Sequence, residues 1–163
     1  MDQPLSFEGE LAALLPRLRR FAHALSKDGA DADDLTQATA ERALRNRAQW
    51  QVGTRLDSWL YRIMRNLWID TVRARGRRDK VEAPAELAER LGEDSAVEAS
   101  IDLKRVMAAM QRLPEEQREV VALILVEGFG YRETAEMLEL PIGTVSSRLV
   151  RGRTALLAMV GEQ

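Results

Sequence analysis

Apolar residues recur along this chain at the spacing of helix faces. Leu11, Leu14, Leu15, Leu18, Phe21, Ala22 and Leu25 follow a three-and-four rhythm that predicts a helix over residues 8–26. Pro16 falls inside that run and lacks the amide that a helix interior uses, so a kink or a break is expected near Leu15. Ser26, Lys27, Asp28 and Gly29 read as a stop. Asp31 is then expected to cap a second helix over 31–48, with Asp33 and Asp34 at the positive end of its dipole. A loop over 49–57 carries Trp50 and Gly53. The third helix starts at Arg55 or Asp57 and reaches about Arg75, with Trp59, Leu60, Ile63, Met64, Leu67 and Thr71 on one broad face. Gly76 is expected to end it.

The C-terminal half repeats the habit. Leu103, Val106, Met107 and Met110 mark a helix from about Ile101 that stops at Leu113-Pro114. Pro114, Glu115 and Glu116 open the next one. Its apolar run over 120–126 is β-branched enough for a strand, but the helix start before it and the Gly128-Phe129-Gly130 stop after it favour a buried helix. A short helix over 132–138, with Ala135 and Leu138 inward, meets the turn Glu139-Leu140-Pro141. A longer helix begins at Ile142 or Gly143 and runs to about Met159. No stretch alternates with period two. The pattern predicts an all-α fold of two small helical domains, 8–78 and 101–160, joined by a flexible acidic linker, 79–100. The C-terminal domain is a helix-turn-helix over 131–159. Each half is short enough for its core to be marginal.

Charge changes the picture more than composition does. The 163 residues carry a formal net charge of −2, which does not suit a nucleic-acid binder. The average hides a segregation. Residues 79–100 hold seven acids and two bases, whereas 62–78 hold six arginines and one acid, Asp70. Residues 140–163 hold three arginines and one acid. Phosphate binding requires local positive potential, not a positive whole.

Stepping 100° per residue from Val145 sharpens the last helix. Leu149, Gly152 and Leu156 share its inward side. Gly143, Thr144, Ser147, Val150, Arg151 and Thr154 face away, with Arg148 and Arg153 at the boundary and Ser146 near the edge. That outer face is small, hydroxyl-bearing, cationic and free of acids. It suits a major groove, where arginine pairs with guanine and a valine methyl meets thymine.

Other chemistry is excluded or weak. There are no cysteines, so disulfides and thiolate metal sites drop out. No Ser/His/Asp set, metal-ligand cluster or phosphate-cradling glycine loop is present, so an enzyme is not expected and neither is a cofactor. The one histidine, His23, reads as a solvated or half-packed surface group. No apolar run approaches the roughly 20 residues of a membrane span, and the N-terminus is acidic before it is basic, the wrong order for a secretory signal. Cytoplasmic residence follows as the expectation.

Several segments together resemble the two-domain extracytoplasmic-function (ECF) branch of the bacterial sigma-70 family. TAEMLELPIGTVSSRLVRGRTAL is similar to its region 4, and MQRLPEEQREVVALILVEGFGYRETA to the part just before it. ADADDLTQATAERALRN resembles region 2.2, and LDSWLYRIMRNLWIDTVRARGRR resembles regions 2.3 to 2.4. The likeness covers roughly residues 10–78 and 101–158, in the family's order and spacing.

The resemblance implies a protein that binds core RNA polymerase, through its β and β′ subunits, and directs it to promoter DNA. Thr144, Ser146, Ser147, Arg148 and Arg151 are implied to read the −35 element. Ser146 stands where relatives often carry arginine, which implies an altered preference or one contact fewer. Asp33, Asp34, Leu35 and Gln37 match the surface that docks on the β′ clamp helices. Relatives often carry a Glu and two aromatics where this chain has Ala38, Ala40 and Leu44, so a thinner local core is expected. The loop over 49–56 matches the segment that captures a flipped −10 base, with Trp50, Gly53, Thr54 and Arg55 as contributors. Arg62, Arg65, Asn66 and Arg73 match DNA-facing positions, whereas Trp59 and Trp68 follow the apolar face and are expected in the core. Arg75, Arg77 and Arg78 are expected to attract phosphate. An anti-sigma factor is an implied partner, and the chain is expected to be a monomer outside its complexes. The acidic linker reads either as a nucleic-acid mimic in the polymerase or as a solubilising tether. Two rivals remain. A conventional helix-turn-helix regulator leaves the basic segment 62–78 unexplained. A sigma-like decoy for an anti-sigma factor is expected to have lost its DNA-facing arginines.

Overall fold

The computed structural model describes residues 6–79 and 101–161, with side chains over 6–77 and 104–161. The acidic linker falls almost wholly outside them. The chain divides into two compact units, Met1–Leu91 and Gly92–Gln163. Helices and turns make up the described residues of both, and no strand occurs among them.

The first unit packs α1 (Phe7–Ser26), α2 (Gly29–Arg45) and α3 (Leu56–Asp79), with a 3-10 turn at Arg47–Gln49 before the third. Ser6 caps α1, its Oγ accepting the Gly9 N–H at 3.1 Å. The helix runs unbroken through Pro16, where a kink or a break is expected from the sequence. Pro16 is exposed, and so is Ala12, whose carbonyl loses the missing amide, so solvent can serve that carbonyl in its place. Lys27 ends α1 in the left-handed region, φ 64°.

The second helix starts earlier than its charges predict. Asp28, not Asp31, is the cap: its carboxylate accepts the N–H groups of Ala30 at 2.8 Å and Asp31 at 3.3 Å. The left-handed turn at Lys27 brings the chain round within two residues, so helix can restart at once. At the other end α3 passes through Gly76, which was expected to stop it, and reaches Asp79. A mid-helix glycine costs only about 1 kcal/mol, too little to terminate a long helix by itself.

The core of this unit joins Leu18, Phe21 and Leu25 of α1, Ala32, Leu35, Thr39 and Ala43 of α2, and Leu60, Tyr61, Met64 and Trp68 of α3. Tyr61 lies off the face that periodicity marks, yet it is fully buried, its ring 5.0 Å from Phe21. Trp68 is buried as expected, whereas Trp59 is only half-buried, against Phe7. The positions expected to thin the core near residue 40 lie off the inward face. Ala38, Ala40 and Leu44 are not buried; Thr39 and Ala43 fill the inward face instead. His23 is half-buried, and that burial lowers its pKa.

The second unit holds α4 (Ile101–Gln111), α5 (Glu115–Val121), α6 (Tyr131–Leu138) and α7 (Ile142–Gly161). The apolar run after Val120 is helical, but its end widens into a π turn over Ala122–Val126, where Glu127 donates five residues back to the Ala122 carbonyl at 2.9 Å. Leu125 is left half exposed, while Phe129 tucks inward and its N–H reaches the Leu123 carbonyl at 3.0 Å. The core thus takes a residue beyond the apolar run. Arg118 is buried too, donating to the Leu113 carbonyl at 2.8 Å, which ties α5 to the turn before it.

Candidate nucleic-acid interface

Helix α7 owes its seat to one small residue. A Cβ on Gly152 would lie 2.7 Å from Val121 Cγ2 and 3.3 Å from the Gln117 Cβ, so α5 and α7 cross in near backbone contact there. Val145, Leu149, Gly152 and Leu156 are the buried positions of α7, the four that the helical wheel turns inward. The turn before it is tight. Glu139 is left-handed, φ 55°, the Leu140 N–H reaches the Ala135 carbonyl at 3.0 Å, and the Pro141 carbonyl accepts from Thr144 and Val145.

This seating leaves one face bare. Ser146, Ser147, Val150, Arg151, Arg153 and Thr154 are exposed, with Thr144 and Arg148 half-exposed beside them. Arg148, Arg151 and Arg153 make no hydrogen bond or ion pair among the described residues, and α7 contains no acid. Three guanidiniums on one acid-free face give a concentrated positive field. Ser146, placed near the edge by the wheel, is exposed.

The first unit offers a second basic surface. Arg62, Asn66, Arg73 and Arg77 are exposed at intervals of four and seven along α3, with Arg65 half-exposed next to them. Arg78 has no described side chain. Arg75, expected to attract phosphate, is paired within its own unit. Its two terminal nitrogens hold both oxygens of Asp31 at 2.7 Å, and its guanidinium lies 5.8 Å from the Trp68 ring centroid. The hydrogen bonds from Arg75 keep the Asp31 carboxyl below the usual range, against the opposing effect of burial.

Before α3 the loop bends over a concavity of about 500 Å³. Trp50 lines it with its ring packed 5.7 Å from Phe7, and Gly53 turns the loop at φ 97°, a conformation other residues adopt only with strain. Thr54 donates to the Gln51 carbonyl at 2.6 Å. Arg55 pairs with Asp57 at 2.9 Å, and Arg17 meets the same carboxylate at 3.4 Å. Val52, at the loop tip, is 89% exposed. The sequence pattern missed Glu10 and Leu14, which form the far wall from α1. Only the helical register of α1 points to them: they lie beside its buried stripe.

The candidate docking residues split. Asp33, Asp34 and Gln37 are exposed; Asp33 pairs with Arg19 at 3.0 Å and Gln37 donates to Glu41 at 3.2 Å. Leu35 is buried, only 5% exposed, and belongs to the core rather than to that surface. Its three- and four-residue spacing to Ala32 and Thr39 places it on the inner side of α2. Beside it, Ala38, Leu67 and Trp68 line a groove of about 230 Å³ between α2 and α3. No helix among the described residues is long and apolar enough to cross a membrane.

Comparison with known proteins assigns both units to one family. A model of sigma-70 region 2 matches residues 11–78, and one of sigma-70 region 4 matches 103–156. The chain is 36% identical over 155 residues to the ECF RNA polymerase sigma factor EcfG of Rhodopseudomonas palustris, covering 95% of this chain and 85% of that one. It is 34% identical over 146 residues to the ECF RNA polymerase sigma factor SigM of Mycobacterium tuberculosis, covering 89% and 72%. Among solved structures, the sigma factor RpoE in complex with the anti-sigma factor NepR from Bartonella quintana superposes with a TM-score of 0.83 at 33% identity, covering 96% of this chain and 98% of that one.

Proposed function

The chain belongs to the sigma-70 family as an ECF RNA polymerase sigma factor, and we propose how its two units divide that work. It binds core RNA polymerase and directs it to start transcription at particular promoters. The second unit reads the −35 element by laying the outer face of α7 in the major groove. Arg148 and Arg151 supply charge and bidentate donors, and Thr144, Ser146 and Ser147 bring small hydroxyls near base edges and phosphates. The observation that carries this reading is the acid-free face of α7, whose three arginines have no partner among the described residues.

The first unit opens the −10 element. Trp50, Gly53, Thr54 and Arg55 shape a concavity wide enough for one unstacked base, while Arg62, Arg65, Asn66 and Arg73 track the backbone of the melted strand. Flipping a base costs a few kcal/mol, which a walled pocket and phosphate contacts offset. Asp33, Asp34 and Gln37 form the exposed part of a polymerase-docking surface on α2. Arg75 serves instead as an internal clamp. An anti-sigma factor that covers these faces would hold the protein inactive, a partner supported by the RpoE–NepR neighbour. The site of action is the cytoplasm, where the polymerase works.

Run-off transcription with purified core polymerase and a set of candidate promoters tests the reading. A promoter-specific transcript that depends on the added chain is the expected result. Absence of both such a transcript and binding to core would sink it.

A further inference from the structure

The concavity under the 50–55 loop contains polar groups of two kinds. Arg55, Asp57 and Arg17 satisfy one another, so their charges are engaged within the protein. Thr54 is bonded back into its own loop. The Glu10 carboxylate, half-exposed on the α1 wall, makes no hydrogen bond or ion pair among the described residues. Trp50 lines the loop wall with its ring, while its Nε1–H is closed off from solvent and does not open into the hollow. A largely apolar hollow therefore keeps one carboxylate acceptor without a partner.

An ionised carboxylate accepts hydrogen bonds and cannot donate them. Resting on the −10 reading above, we infer that Glu10 is a specificity-determining residue of this hollow. It selects an unpaired base bearing an exocyclic amino group, cytosine or adenine, over the keto counterpart of the same ring size. In one and the same pose, the amino group of cytosine donates to the carboxylate. In thymine a carbonyl oxygen takes that place, and two acceptors face each other with no proton to share. The adenine-to-guanine exchange does the same at the purine six-position. Glu10 lies on α1, outside the loop that the family resemblance singles out.

The test is a selection with reconstituted holoenzyme. Templates randomised across the −10 region are transcribed, and the transcribed pool is sequenced for the native chain, Glu10→Gln and Glu8→Gln. Glu8 pairs with Arg47 and does not line the hollow, so it is the control. The native chain should enrich amino-bearing bases at one position by on the order of tenfold, the scale of one base-reading hydrogen-bond pair. Glu10→Gln can both donate and accept, so it should flatten that one position and leave the others sharp. Glu8→Gln should match the native pool. An amino preference unchanged in Glu10→Gln, or keto enrichment in the native pool, overturns the role of Glu10 while leaving the sigma-factor reading intact. A pool with no enriched position at all overturns both.

Discussion

Arg151 stands outward on α7 with no partner among the described residues, so its removal leaves no unpaired charge inside the protein. Arg151→Ala should leave thermal stability unchanged and weaken binding of a −35 duplex by the holoenzyme. If the side chain reads a base, the loss is about 1–3 kcal/mol at one base pair and is small when that pair is already mutated. A loss equal on every sequence, with the slope of log affinity against log salt shallower by about 0.9, marks a phosphate contact instead. Binding unchanged on every duplex would remove Arg151 from the interface. Residue-scale roles were legible where one helix decides them: burial of Val145, Leu149, Gly152 and Leu156 follows from periodicity alone. They were not legible where a second element decides. Leu35 sits in an acidic stretch that looks like surface, yet the packing of α2 against its neighbours buries it. Arg75 looks like its basic neighbours until Asp31 on another helix claims it.

At the scale of elements, two contacts set how helices begin, end and hold together. The turn of the helix-turn-helix places Glu139 in the left-handed region, where a residue with a Cβ costs about 1–2 kcal/mol and glycine does not. Glu139→Gly should raise the unfolding free energy by about 0.5–1 kcal/mol in a urea titration, part of the gain being offset by glycine's extra freedom when unfolded. A lower stability would mean that Glu139 makes a contact worth more than the strain. The Asp31–Arg75 pair links the start of α2 to the end of α3. Asp31 titrates below its ordinary range when folded, so its contribution to stability is fully present above about pH 4 and fades as pH falls through the lowered value. Arg75→Gln should return Asp31 to the ordinary carboxylate range, read by carboxyl carbon NMR, and shift acid unfolding to higher pH. An unmoved titration would show that Arg75 is not the cause. Helix ends were the least legible elements. The Asp28 cap follows the left-handed turn at Lys27, and the apolar run after Val121 ends in a π turn that periodicity does not mark.

For the whole molecule, the two reading surfaces are proposed to engage one promoter at once. Inserting five base pairs between the −35 and −10 elements turns one of them by about half a helical turn. Run-off transcription from that template should fall at least about tenfold, because the tethered second contact no longer adds to the first. Equal transcription from both templates would mean that a single unit suffices. The two-domain all-α organisation and the inward and outward sides of α7 were determined by the sequence alone. So was the opposition of a basic segment, 62–78, to an acidic one, 79–100. Helical periodicity and charge order are local properties, carried by residues within a few turns of one another. The tertiary structure alone decided what depends on distant partners: that Pro16 is tolerated, that Tyr61 is core, that Arg75 is held by Asp31, and that Glu10 lies across a hollow from the 50–55 loop. The sequence separates Glu10 from Trp50 by two helices, and only the packing of those helices brings the two walls together.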